Sequence, residues 1–163
     1  MLAHIPPWVF GIFALLVALG VLLSRPRAVL PIAPLLVAAG FMAYSLWGVI
    51  SSFDASLANI FPWAAGLLAS VLLGKQLFGP RGMTRVSGTR KILVPGSWLP
   101  LALMMGIFLV KFIVGFVRGA HLPLEMQGWF APAVCFALGC FSGGFTTRAI
   151  NVHRFAKAAA NNA

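Results

Sequence analysis

Apolar residues fall in five long blocks along the chain, and the short stretches between them hold nearly all of its charge. The blocks cover residues 8–24, 28–50, 57–74, 97–117 and 129–150. A helix needs about 20 mostly apolar residues to cross a hydrocarbon layer of about 30 Å, and the blocks are of that order. Membrane-barrel strands would be alternating stretches of about ten residues, which nothing here resembles. The pattern predicts an all-α membrane protein, a bundle of five transmembrane helices. It forms one polytopic domain over residues 1–155, with no soluble domain attached and a disordered tail over 156–163. The first block is the shortest, but no positive leader precedes it and no small-residue cleavage pattern follows it. Arg25-Pro26-Arg27 reads instead as a stop, so the block is expected to be a retained helix.

Composition agrees with the pattern. The chain is 61% hydrophobic and 9% charged, whereas a soluble domain carries about 25% charged residues and is roughly half apolar. The charge is also lopsided, with twelve Lys and Arg against two acids, Asp54 and Glu125. Ten of the twelve cations lie in three segments that an odd number of spans places on one side: after block one, between blocks three and four, and from Arg148 at the inner end of block five onward. The positive-inside rule then puts the N-terminus outside and the C-terminus in the cytoplasm. Basic chains also suit nucleic acid, but topology accounts for this charge, and no nucleic-acid partner is expected.

Smaller features fit the same frame. Trp8, Trp47, Trp63 and Trp129 fall at the outer ends of their blocks and Trp98 at an inner end, as in an interfacial belt. Pro7, Pro31, Pro34, Pro62, Pro100 and Pro132 sit in the opening turns, where a missing N–H is harmless. None falls at mid-membrane, unlike the broken helices of many transporters. Gly66, Ser70 and Gly74, then Ala102 and Gly106, then Gly139 and Gly143 form small-residue stripes suited to close helix contact. Whether those contacts lie within one chain or between copies is left open by the sequence. Residues 75–95 read as a flexible basic loop near the bilayer. Arg81, Arg85, Arg90 and Lys91 there, with Arg148 at the inner end of block five, are candidates to hold anionic lipid headgroups.

One cation fits neither face. Lys111 lies about 21 Å from the inner end of block four and about 10 Å from the outer end, and helical side chains lean away from that nearer exit. An ionisable group at such depth needs an internal partner or a hydrated cavity, and marks a functional site by default. Tyr44 lies at similar depth, and Asp54 and Glu125 can reach down from the outer surface. These four are the candidate ligand-binding set. The structural alternative is a lysine paired to Asp54 or Glu125 that merely fixes helix packing. His4, His121 and His153 all fall outside the spans, and no metal-ligand spacing, nucleophile elbow or phosphate loop is present. Cys135 and Cys140, five apart on one helix, cannot bridge. No catalytic residue, metal site or cofactor is expected, and the sequence leans away from an enzyme.

Arg25-Pro26-Arg27, Pro95-Gly96-Ser97-Trp98-Leu99-Pro100, Lys111 and Phe141-Ser142-Gly143-Gly144-Phe145-Thr146-Thr147-Arg148 together give the chain a likeness. It resembles a family of uncharacterised bacterial inner-membrane proteins, and its helix layout is similar to that of CcdC-like proteins. The resemblance implies a multi-pass protein of the bacterial inner membrane and carries no activity to individual residues. Two functions from different classes follow. One is a protein that binds or transports a small ligand or lipid through a polar pocket around Lys111. The other is a structural or assembly subunit that self-associates or docks on a larger membrane complex.

Overall fold

The computed structural model describes residues 7–53, 56–77, 82–86, 89 and 91–161, and the side chains of 9–53, 56–74, 82–86, 89 and 91–159. Asp54, Arg81 and Arg90 lie outside the described residues. The fold is all-α with five helices: α1 (Pro7–Leu23), α2 (Ala33–Phe53), α3 (Leu57–Leu77), α4 (Leu99–Gly119) and α5 (Phe130–Asn161). Four of them, α2 to α5, are long and apolar enough to cross a membrane. Short strands β1 (Arg27–Val29), β2 (Thr84–Arg85) and β3 (Ile92–Val94) lie between helices, and Pro123–Met126 makes a 3-10 turn.

Proline marks several helix starts as expected, whereas Pro62 falls inside α3 and Pro31 precedes α2. Pro34, Pro100 and Pro132 stand second or third in α2, α4 and α5, where the pyrrolidine sets φ without forfeiting a bond. At α4 the Ser97 hydroxyl accepts from the Leu99 N–H at 3.2 Å. The other end of α4 closes in a Schellman motif: His121 N–H donates to the Arg118 carbonyl and Leu122 N–H to the Val117 carbonyl. His121 itself takes the left-handed conformation, φ 49°, that this position requires and that glycine usually supplies.

α5 is the axis of the bundle. More than half of its apolar span is buried, against 22% for α2 and for α3. The small-residue stripes explain how its neighbours approach, and their contacts lie within the chain. Added methyl groups would strike the Phe136 carbonyl at Gly66, the Trp63 carbonyl at Gly139 and the Leu67 carbonyl at Gly143. With no Cβ at those points, α3 and α5 touch backbone to backbone, which is how helices gain dispersion contact where lipid offers no hydrophobic drive. Phe41 of α2 stacks on Phe145 of α5 at 4.3 Å. α1 leans on α4, through Phe13 against Phe108 at 5.6 Å and Gly20 against Leu101. The outer faces carry exposed Leu36, Phe61, Leu68, Leu72 and Leu109, a lipid-facing surface.

Polar groups inside the bundle tie three helices together. Trp63 of α3 donates its indole N–H to Ser45 of α2 at 2.9 Å, and Ser45 donates to the Leu138 carbonyl of α5 at 3.3 Å. Trp63 is therefore a buried strut, not part of an interfacial belt. Trp47, Trp98 and Trp129 are exposed, as belt residues are.

Three stretches differ from the sequence expectation. Residues 28–32 do not open α2. Arg27–Val29 instead pairs antiparallel with Ile92–Val94, Arg27 opposite Val94 and Val29 opposite Ile92, and the Pro31 ring disfavours a helical Leu30. The 75–95 segment is not all loop, because it supplies the last turn of α3 and strands β2 and β3, giving a sheet of order β1-β3-β2. Finally, α5 runs on to Asn161, through most of the tail expected to be disordered. Extending an existing helix needs no new nucleus, and Ala156, Ala158 and Ala159 propagate it well. Its distal turns also have a purpose: Val152, with Phe155 and Ala156, covers Ile92 and Val94 of the sheet. At 32 residues, α5 is about 48 Å long, so its far end projects beyond any hydrocarbon layer to reach them.

Candidate ligand groove at Lys111

α2 and α4 both rest on α5 and make little contact with each other, which leaves a groove between them. The α2 wall presents Gly48 and Ser52, one turn apart, with Phe53; the α4 wall presents Lys111, Val114 and Arg118; Val134 and Leu138 of α5 form the floor. The cavity they enclose is about 200 Å³. Pockets for drug-sized molecules start at roughly 300 Å³, so this one suits a small ion, a headgroup fragment or a few waters.

Lys111 reaches across the groove. Its ammonium stands 4.9 Å from the centroid of the Tyr44 ring and lies directly over Gly48, where a methyl would collide with Nζ and approach Cε at 3.2 Å. Among the described residues Nζ makes no hydrogen bond and no ion pair. The energetics are therefore unbalanced. A lysine at mid-span costs about 2.5–3.5 kcal/mol on insertion scales, and a desolvated cation–π contact returns about 1–2 kcal/mol. The balance, about 0.5–2.5 kcal/mol, is met by no hydrogen bond or ion pair among the described residues.

Arg118, in the same groove, is fully engaged. Its Nε donates to Glu125 at 2.8 Å, its Nη2 donates to the Ser52 carbonyl, and its guanidinium sits over the Phe53 ring at 5.2 Å. Arg118 thereby clamps the end of α2 and the Pro123–Met126 turn onto α4. Of the four expected ligand residues, the structure brings Lys111 and Tyr44 together. Glu125 belongs to the Arg118 ion pair at the surface and does not reach Lys111, because the nearer guanidinium takes it. Cys135 is fully buried in the core and does not line the groove.

The headgroup candidates also separate. Arg85 is exposed and donates to the Ala159 carbonyl at 3.1 Å, tying the sheet to the end of α5. Lys91 is exposed. Arg148 is half-buried in the wall of a second cavity. Gly48, Ser52 and Arg118 escaped the sequence reading. Tyr44, Gly48 and Ser52 are spaced by four, a stripe visible in the sequence that sets a glycine beside the one tyrosine.

Five helices packed on α5 or on its neighbours, four of them long and apolar enough to span, with the Lys111 ammonium in a lateral groove, define a multi-pass helical membrane protein. No curated protein and no solved structure gives a match. One family model does, over residues 1–163, and the chain belongs to that family, DUF6622, a family of unknown function.

Proposed function

We propose that the protein binds a small ligand or lipid group bearing an anionic or hydrogen-bond-accepting atom, held by Lys111 between α2 and α4. The observation that carries this reading is the ammonium over Gly48 and Tyr44 with no hydrogen bond or ion pair among the described residues. The groove opens sideways between two helices, so the ligand enters from the lipid side. The alternative, an assembly subunit docking through its small-residue stripes, has less support, because Gly66, Gly74, Gly139 and Gly143 are already covered by neighbours in the same chain.

We place the protein in a bacterial inner membrane with its N-terminus outside. In support, β1, β2, β3 and the end of α5 gather at one end of the bundle with Arg27, Arg85, Lys91, Arg154 and Lys157, the charge bias of a cytoplasmic face. Native mass spectrometry of the protein and of Lys111→Met tests the binding reading. A bound small molecule present on the parent and absent from the variant is expected. Identical adducts on both, or none on either, would reject it.

A further inference from the structure

The second cavity, at the sheet end, encloses about 160 Å³, and its polar lining is cationic. Arg27 of β1 stands at its rim and Arg148 of α5 in its wall; the rest of the lining is apolar, with Leu23, Val37 and Phe145 among it. Both guanidiniums border the same cavity, on a strand and a helix that are far apart in the sequence. Partial desolvation against the cavity lowers the pKa of Arg27 from its ordinary value. Neither side chain has a hydrogen bond or an ion pair among the described residues. The chain has two acids: Glu125 is bound to Arg118 at the opposite end, and Asp54 follows Phe53, which ends α2 at that opposite end. Ala33 and Pro34 also line the cavity, so the positive end of the α2 dipole opens onto it. Two cations, Arg27 exposed at the rim and Arg148 half-buried in the wall, and a helix N-terminus thus border one chamber, and among the described residues no carboxylate balances them, which favours an anion there.

We propose that Arg27 and Arg148 form a phosphate-binding site that grips the anion between the first strand and the last helix. Guanidinium forks match phosphate oxygens two at a time, which a point-charge lysine does not. The apolar lining suits the start of an acyl chain, so the phosphate belongs either to a phospholipid headgroup or to a free phosphate group. The site lies apart from the Lys111 groove and does not depend on it.

Thermal unfolding of the delipidated full chain in neutral detergent, at fixed ionic strength, tests the site in two arms. One arm adds inorganic phosphate against chloride; the other compares mixed micelles of phosphatidylglycerol and phosphatidylcholine. We expect the parent to be stabilised in at least one arm: phosphatidylglycerol alone identifies a headgroup site, and inorganic phosphate as well identifies a site for the free anion. Arg148→Lys and Arg27→Lys keep the charge, and each should weaken the apparent affinity about tenfold or more, the loss expected for one charge-assisted hydrogen bond. Arg154→Lys, exposed and away from the cavity lining, should leave it unchanged. Failure of the parent to respond in either arm overturns the proposal. So does an unchanged affinity in both cavity variants, or an equal loss in Arg154→Lys.

Discussion

Ser45 and Ser142 offer a matched test of what holds the bundle together. Both hydroxyls are buried, at 1% and 0% exposure, and Ser→Ala removes the same atom from each. Ser45 stands in a chain of bonds, accepting from Trp63 at 2.9 Å and donating to Leu138 at 3.3 Å. The Ser142 hydroxyl has no partner among the described residues. Interhelical hydrogen bonds in membranes average about 0.6 kcal/mol and reach about 1.7. Ser45→Ala also leaves the indole N–H of Trp63 stranded in the interior, which costs about 1–3 kcal/mol. The expected loss at Ser45 is therefore about 1–3 kcal/mol, a five- to 150-fold fall in the folded-to-unfolded ratio. At Ser142 the same change should be neutral or slightly stabilising, since it deletes an unsatisfied polar atom and leaves only a small void. Equilibrium unfolding in mixed micelles, followed by the fluorescence of Trp63 and the other indoles, measures both. Equal effects at the two serines would refute the reasoning, and a Ser142 loss larger than that at Ser45 would reverse it.

Other consequences follow from the same geometry. Gly139→Ala should destabilise the protein by about 2 kcal/mol or more, the cost of overpacking, because its methyl meets the Trp63 backbone; unaltered unfolding would disprove the close approach of α3 and α5. His121→Gly should be neutral or stabilise by up to about 1 kcal/mol in the same unfolding assay, since glycine adopts the left-handed cap without strain. Glu125→Gln should change stability by less than about 1 kcal/mol, because the pair it breaks is well exposed; its effect should shrink further in high salt. A cysteine at Thr84, with Cys135 and Cys140 replaced, should resist impermeant thiol reagents added outside whole cells. Labelling there would overturn the proposed orientation.

Much of the helical skeleton is legible in the sequence because lipid imposes one simple rule, a long apolar run per span. Block boundaries and proline positions fall close to α3 and α4 for that reason. Arg27–Val29 was not legible, because an Arg-Ala-Val triplet next to a helix is too short to carry a period that separates strand from helix, and its partner lies far along the chain. The α5 extension was misread for a related reason. An Ala-rich tail reads as loose until Val152, Phe155 and Ala156 are seen against Ile92 and Val94. At the groove, a mid-span lysine near the lone tyrosine was visible from depth alone. Its neighbours were not: a glycine's significance at position 48 depends on which side chain lies across it. Arg27 as the companion of Arg148 depended on the strand, so no local signal could have found it.

The sheet also sets an order of events during synthesis. β1 leaves the ribosome about 65 residues before β3, a delay of several seconds at the usual rates of about 5–20 residues per second. It must wait, unpaired, while α2 and α3 are made and inserted. The apolar cover supplied by Val152 and Phe155 arrives later still, about 60 residues after β3. The last turns of α5 therefore act as a clasp that can close only after α4 and α5 have been made. A chain in which α5 has not yet been made presents bare strands and uncovered Ile92 and Val94, a surface that chaperones and proteases recognise in incomplete folds.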